Sequence, residues 1–273
     1  MSLTIQQAER EAPEPVRDAA ASRLWEVDVA RTTAIVMMVV YHTAYDLEFH
    51  GVSGIDPYNG GWRALQVVTA STFLALVGVS AWIRAQRLQH RGVTGVAAWR
   101  LSAPRGGQIL AGAAAVSLAT LLAVGSGDMV RFGILHLIAV AHLIVLPLSV
   151  ALGKWNLLLG AAIVAGGLAL KGTGTDEPVL LIAGLDPGQT GVDWFPLLPW
   201  IGVPMIGVAI GAWLYPGGQR RPVLRALERA PAWASVLGAP GRRSLTVYLI
   251  HQPVLIALTA GALLLTGASL NGL

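Results

Sequence analysis

The chain has 273 residues, of which 54% are hydrophobic and only 12% charged, and its mean hydropathy is +0.61. Soluble domains carry about a quarter charged residues, so the solvent for most of this chain is lipid. Cysteine is absent, which removes thiol nucleophiles, thiolate metal sites and disulfides. The net charge of +4 comes from basic residues beside apolar runs with no aromatic stacking platform, so membrane topology explains it better than nucleic-acid binding.

Residues 1–22 contain no apolar core before a small-residue cleavage site and are read as a retained, largely disordered cytoplasmic tail, followed by a single domain over 23–273. Only helices and closed barrels satisfy every backbone group inside lipid, and the apolar runs that follow are near 20 residues without strict alternation. An all-α, polytopic transmembrane bundle of about seven spans is therefore expected. The spans fall at 29–49, 64–83, 106–124, 132–152, 155–170, 194–215 and 244–266.

With the N-terminus inside, 16 of the 19 basic residues lie on the cytoplasmic side and only Arg63, Arg131 and Lys171 lie outside. The positive-inside rule thus predicts N-in, C-out, with a cytoplasmic loop over 84–105 and an external loop over 171–193. Within the external loop, the apolar run Val179 to Leu185 is too short to cross and reads as a lid or re-entrant element. The segment from Pro222 to Leu237, with Trp233 and several arginines, reads as a helix lying at the headgroup boundary.

Ionisable residues inside spans cost kilocalories and face the bundle or a wet cavity. His42 and Asp46 are four residues apart on the first helix and so share a face. An imidazole beside a carboxylate is the arrangement of an oriented general base, with the carboxylate fixing the tautomer. His136, Arg131 and Asp193 fall near outer helix ends and could join that pair in one outward-facing pocket; His251 and Gln252 enter from the last span. Arg31 and Asp28, three apart at the inner end of the first span, read as a local ion pair. His142 and His90 lack a placed partner and read as structural. No spacing of the His-Glu-x-x-His kind supports a metal, and none is expected.

Four blocks in order, RLWEVDVARTTAIVMMVVYHTAYDL, RFGILHLIAVA, DWFPLLPWIGVPMIGVAIG and GRRSLTVYLIHQP, resemble the heparan-alpha-glucosaminide N-acetyltransferase catalytic-domain family in its short bacterial form. The opening Asp28-x-x-Arg31 followed by His42 is also similar to the first helix of the acyltransferase-3 family. Both resemblances imply transfer of an acyl group, here acetyl, from cytosolic acetyl-CoA to a carbohydrate amine or hydroxyl at the outer face. They imply a protein of the bacterial inner membrane and admit a homodimer.

On that reading the phosphates of coenzyme A meet Arg31, Arg242 and Arg243, since guanidinium forks suit phosphate oxygens. His42, oriented by Asp46, either deprotonates the acceptor or is itself acylated. His251, Gln252 or His136 then holds the carbonyl oxygen, and Arg131 and Asp193 contribute to substrate binding. A proton-coupled transporter or channel is the competing expectation, because a chain of His, Asp and Arg through a bundle also builds relays.

Overall fold

The computed structural model describes residues 23–52, 54–186, 188 and 190–265, so the expected tail over 1–22 lies outside the described residues. Among the described residues seven long helical runs make up the bundle: α1 (Trp25–Phe49), α2 (Gly60–His90), α3 (Gly95–Asp128), α4 (134–149), α5 (Asn156–Ala169), α6 (Leu197–Leu214) and α7 (Ser244–Leu265). Among the described residues the one β-type pairing is an isolated bridge between Gly174 and Asp186. The fold is all-α, as expected.

Among the described residues five stretches are long and apolar enough to cross a bilayer: α2, α3, the continuous run Ile134–Ala169, α6 and α7, with α1 not one of them. The run Ile134–Ala169 holds both α4 and α5. Between them Gly153 takes φ 49°, ψ −119°, a conformation closed to residues with a Cβ. Buried Asn156 donates from Nδ2 to the carbonyls of Ser149 (2.8 Å) and Gly153 (2.9 Å), satisfying the backbone where the chain turns back.

Contacts give the relative directions of the helices. Asp28 and Thr32 of α1 meet Gly241 just before α7, while His42 and Asp46 meet His251 and Gln252, so α1 and α7 are parallel. Gly106 faces Leu143 while Ser117 faces His136, so α3 and α4 are antiparallel. Gly160 faces Gly202 and Gly167 faces Pro199, so α5 and α6 are antiparallel.

The tightest packing is that of α2 on α6. A Cβ added at Gly78 would lie 1.9 Å from the Pro204 carbonyl oxygen, and one at Gly207 would lie 2.2 Å from that of Ala75. In lipid, where burial of apolar side chains between helices gains little, such backbone approach is what drives helices together. Gly78→Ala is therefore expected to lower thermal stability in detergent by an amount corresponding to about 1–3 kcal/mol. Gly61→Ala, where a Cβ meets nothing within 4 Å, should leave stability unchanged. Equal melting of the two variants would show that the interface can part without cost.

Two expectations of local structure are corrected. The loop expected over 84–105 is mostly helix, because α2 continues to His90 and α3 begins at Gly95. Helix propagation does not stop at the edge of the hydrocarbon. The arginines there accordingly project from helix ends, and Arg84 bridges to the Leu101 carbonyl (2.7 Å) and Ser102 hydroxyl (2.9 Å). The helix expected from Pro222 to Leu237 is broken into a 3-10 segment, Pro222–Leu227, and a single turn, Ala234–Leu237. Pro231 supplies the reason, as it has no N–H to donate and restrains the residue before it.

The run from Val179 to Leu185 begins in a short 3-10 helix, Pro178–Leu181. Its Leu181 is 4% exposed and belongs to the main apolar core with Phe132 and Phe195. Trp194 donates to the Leu181 carbonyl (3.1 Å), and the Leu197 and Leu198 amides donate to Ile182 and Ala183, so this segment is fastened onto the start of α6.

Candidate functional site

α1 carries Arg31, Ile35, Met38, His42 and Asp46 along one side at helical spacing. The ring of His42 meets that of His251 edge-on, with centroids 4.8 Å apart. His42 donates from Nδ1 to the Met38 carbonyl (2.9 Å) and His251 donates from Nδ1 to the Tyr248 carbonyl. A carbonyl only accepts, so in both rings Nδ1 carries the proton and the lone pair is on Nε2. Nε2 of His251 is buried and without a hydrogen-bond partner among the described residues. Two basic nitrogens are thus presented side by side in the middle of the bundle.

Asp46 does not hold His42 as spacing suggested. Helical side chains lean toward the N-terminus, so the imidazole of His42 reaches back one turn to its own backbone. Asp46, 2% exposed, instead accepts from Nε2 of Gln252 (2.6 Å) and clasps α1 to α7. The second oxygen of Asp46, the amide oxygen of Gln252 and both nitrogens of His50 remain buried without partners among the described residues. Groups of that kind are costly unless another molecule satisfies them.

His136, Arg131 and Asp193 are brought together at the start of α4, where Asp193 acts electrostatically on Tyr248, whose ring lies 5.3 Å from that of His251. His136 accepts the Gly133 amide at Nδ1 (3.3 Å) and faces Ser117 through Nε2 (3.5 Å), closing the first turn of α4. Asp193 accepts the Ile134 amide (3.2 Å) at the same helix start. Burial pushes its carboxyl up to about 6. Arg131 donates to the carbonyls of Ser126 (2.6 Å) and Gly127 (3.1 Å) at the end of α3. Each of these contacts closes a helix end.

At the opposite end lies a cavity of about 580 Å³ lined by Arg23, Arg31, Arg84, Arg87 and Arg91, with Asp28 as its carboxylate. Asp28, 5% exposed, pairs with Arg23 (2.6 Å) and Arg31 (3.0 Å). Arg31 also donates to the Ser80 hydroxyl, tying α1 to α2. In the sequence Arg84, Arg87 and Arg91 fall in the expected cytoplasmic loop over 84–105, where they count toward topology. Their spacing of three and four residues, continued from Ser80, is the sequence signal that places them on one face of α2.

A second cavity of about 260 Å³ shares Arg31 and Ser80 with the first. Its rim adds Arg105 and Arg242, and its wall rises through Leu135 and Ile138 to Tyr248, which adjoins His251 with ring centroids 5.3 Å apart. Arg242 and Arg243 are both exposed, and Arg242 also donates to the Ser235 carbonyl (2.9 Å). The larger cavity can hold a multiply charged anion and the smaller an apolar stem. Among the described residues no group of three His, Asp or Glu side chains is placed to hold a metal ion.

A family model described as "Heparan-alpha-glucosaminide N-acetyltransferase, catalytic" matches residues 23–253. No curated protein and no solved structure matches the chain.

Proposed function

Since the chain belongs to the heparan-alpha-glucosaminide N-acetyltransferase catalytic family, we propose that this integral membrane transferase moves an acetyl group from acetyl-CoA to an amine or hydroxyl of a carbohydrate. The observation that carries the reading is the continuity of the site. A basic cavity leads past Arg31 into a narrower apolar one, whose far wall, Tyr248, adjoins His251, the ring partner of His42.

In this reading the phosphates of coenzyme A bind the arginine cavity and the thioester reaches His42 and His251 through the smaller one. Arg31 and Arg242, which line the smaller cavity, serve the donor, and exposed Arg243 adds its charge beside Arg242. The acceptor comes from the other end, where its hydroxyls meet the unpaired oxygens of Asp46 and Gln252. Nε2 of His42 takes the acceptor's proton as its nitrogen or oxygen attacks the acetyl carbon. The carbon–sulfur bond breaks, and the proton passes from the imidazolium to the departing thiolate. An acetyl-imidazole formed on the same Nε2 and then intercepted by the acceptor uses the same groups.

The arginine count supports an N-in, C-out arrangement in a cytoplasmic membrane, and the parallel run of α1 and α7 is the one that seven crossings require. A cysteine introduced near Arg91 is then expected to resist an impermeant maleimide in intact cells and one near Asp176 to react; the native chain offers no competing thiol. The opposite pattern would reverse the orientation.

The activity itself is tested by incubating the purified protein with acetyl-CoA and amino sugars and measuring thiol release. Acceptor-dependent release is expected. No release with any amino sugar or hydroxyl acceptor would remove the acetyltransferase reading, and nothing in the structure favours the transporter alternative.

A further inference from the structure

The wall of the smaller cavity includes a group that the reaction described so far does not use. Leu135, Ile138 and His142 of α4 line it at helical spacing. The run changes at that level from α-helix to a π turn, Ala141–Val145. Such turns inside helices recur at functional sites. This one leaves the Leu143 carbonyl to accept from Trp99 of α3 (2.8 Å), which fixes the turn against its neighbour. Gly106 of α3 makes room for it, since a Cβ there would lie 2.5 Å from the Leu143 side chain and 3.4 Å from the His142 ring.

Nε2 of His142 is buried and has no hydrogen-bond partner among the described residues. Its place is the neck of the cavity. The guanidinium rim of Arg31, Arg105 and Arg242 is on one side and the apolar wall of Leu135 and Ile138 on the other. A linear ligand with an anionic head at the rim would pass the imidazole where its stem begins. In coenzyme A that stem is pantetheine, whose amides and hydroxyl need partners once they enter an apolar channel.

We propose that His142 is a donor-binding residue that hydrogen-bonds the pantetheine stem of acyl-coenzyme A at the neck of the smaller cavity. The proposal rests on the acetyl-CoA reading and adds to it a group outside the arginines. It predicts a separation between the two halves of the donor. His142→Leu keeps the volume of the neck apolar and removes the hydrogen bond, so binding of coenzyme A and of pantetheine should each weaken about tenfold. Binding of 3′,5′-ADP, which has the phosphates and no stem, should be unchanged.

The measurement is calorimetric titration of the purified wild type, His142→Leu and His142→Asn with those three compounds. The asparagine variant, which can still donate or accept, should bind coenzyme A and pantetheine more tightly than the leucine variant, and it carries the comparison alone if His142→Leu does not fold. Unchanged affinity for coenzyme A and pantetheine in His142→Leu would overturn the proposal and leave the donor reading intact. Equal weakening of all three compounds would assign the imidazole to the phosphate site and overturn it as well. A wild type that binds none of them would remove the acetyl-CoA reading and this proposal with it.

Discussion

Replacement of His42 by alanine is expected to lower acetyl transfer by at least about 10²–10⁴-fold, the usual contribution of a positioned general base, while the protein still inserts and folds. His42 and His251 present parallel chemistry, each with Nδ1 bound to a carbonyl, so the two variants need comparison. His251→Ala should also cost activity, and the double variant should lose little more than the worse single one, as groups acting as a unit do. If the pair serves only packing, activity will fall in proportion to folded yield and the purified protein will turn over normally. Near wild-type turnover of purified His42→Ala would end its assignment.

The same geometry changes what is expected of Asp46. Since the carboxylate accepts from Gln252 and the Met38 carbonyl holds His42, no side chain can be removed to free the imidazole. Asp46→Asn and Gln252→Leu should therefore have similar effects on activity, and combining them should add little, because both break one clasp between α1 and α7.

What sequence alone made legible follows one rule: signals carried by a single helix survive, and those that depend on a neighbour do not. The apolar runs marked every long helix, because length and hydropathy are local properties. The shared face of His42 and Asp46 was also local, and both residues do project into the bundle. Their expected mutual contact failed because Asp46 had a partner on α7, more than 200 residues away.

His136 and Asp193, expected near outer helix ends, are half-buried there, but whether such a group caps a helix or meets a substrate depends on the elements folded around it. His142 was set aside because a lone histidine in an apolar run gives no sign of a π turn or of the cavity beside it. Arg84, Arg87 and Arg91 had both meanings at once, since arginines that satisfy the positive-inside rule can also line an anion cavity.

Arg31 is the arginine that lines both cavities, and Arg31→Ala is expected to raise the KM for acetyl-CoA by about 10- to 100-fold, as truncating a largely buried charge partner does. Its guanidinium spans two anchors, Asp28 on its own helix and Ser80 on α2, and still presents donors toward the cavities. A lysine ammonium has the charge but not the planar fork, so Arg31→Lys should recover only part of the loss. The competing account is that Arg31 merely ties α1 to α2. In that case Ser80→Ala, which cuts the same tie, should reproduce the fall in thermal stability, and neither variant should alter KM. A donor site predicts the reverse ranking: a large KM effect in Arg31→Ala, a small one in Ser80→Ala, and kcat changed little at saturating donor, since a phosphate contact made equally in ground and transition states appears in affinity and not in turnover. An Arg31→Ala protein that inserts correctly and retains its KM would leave Arg31 a structural tie alone.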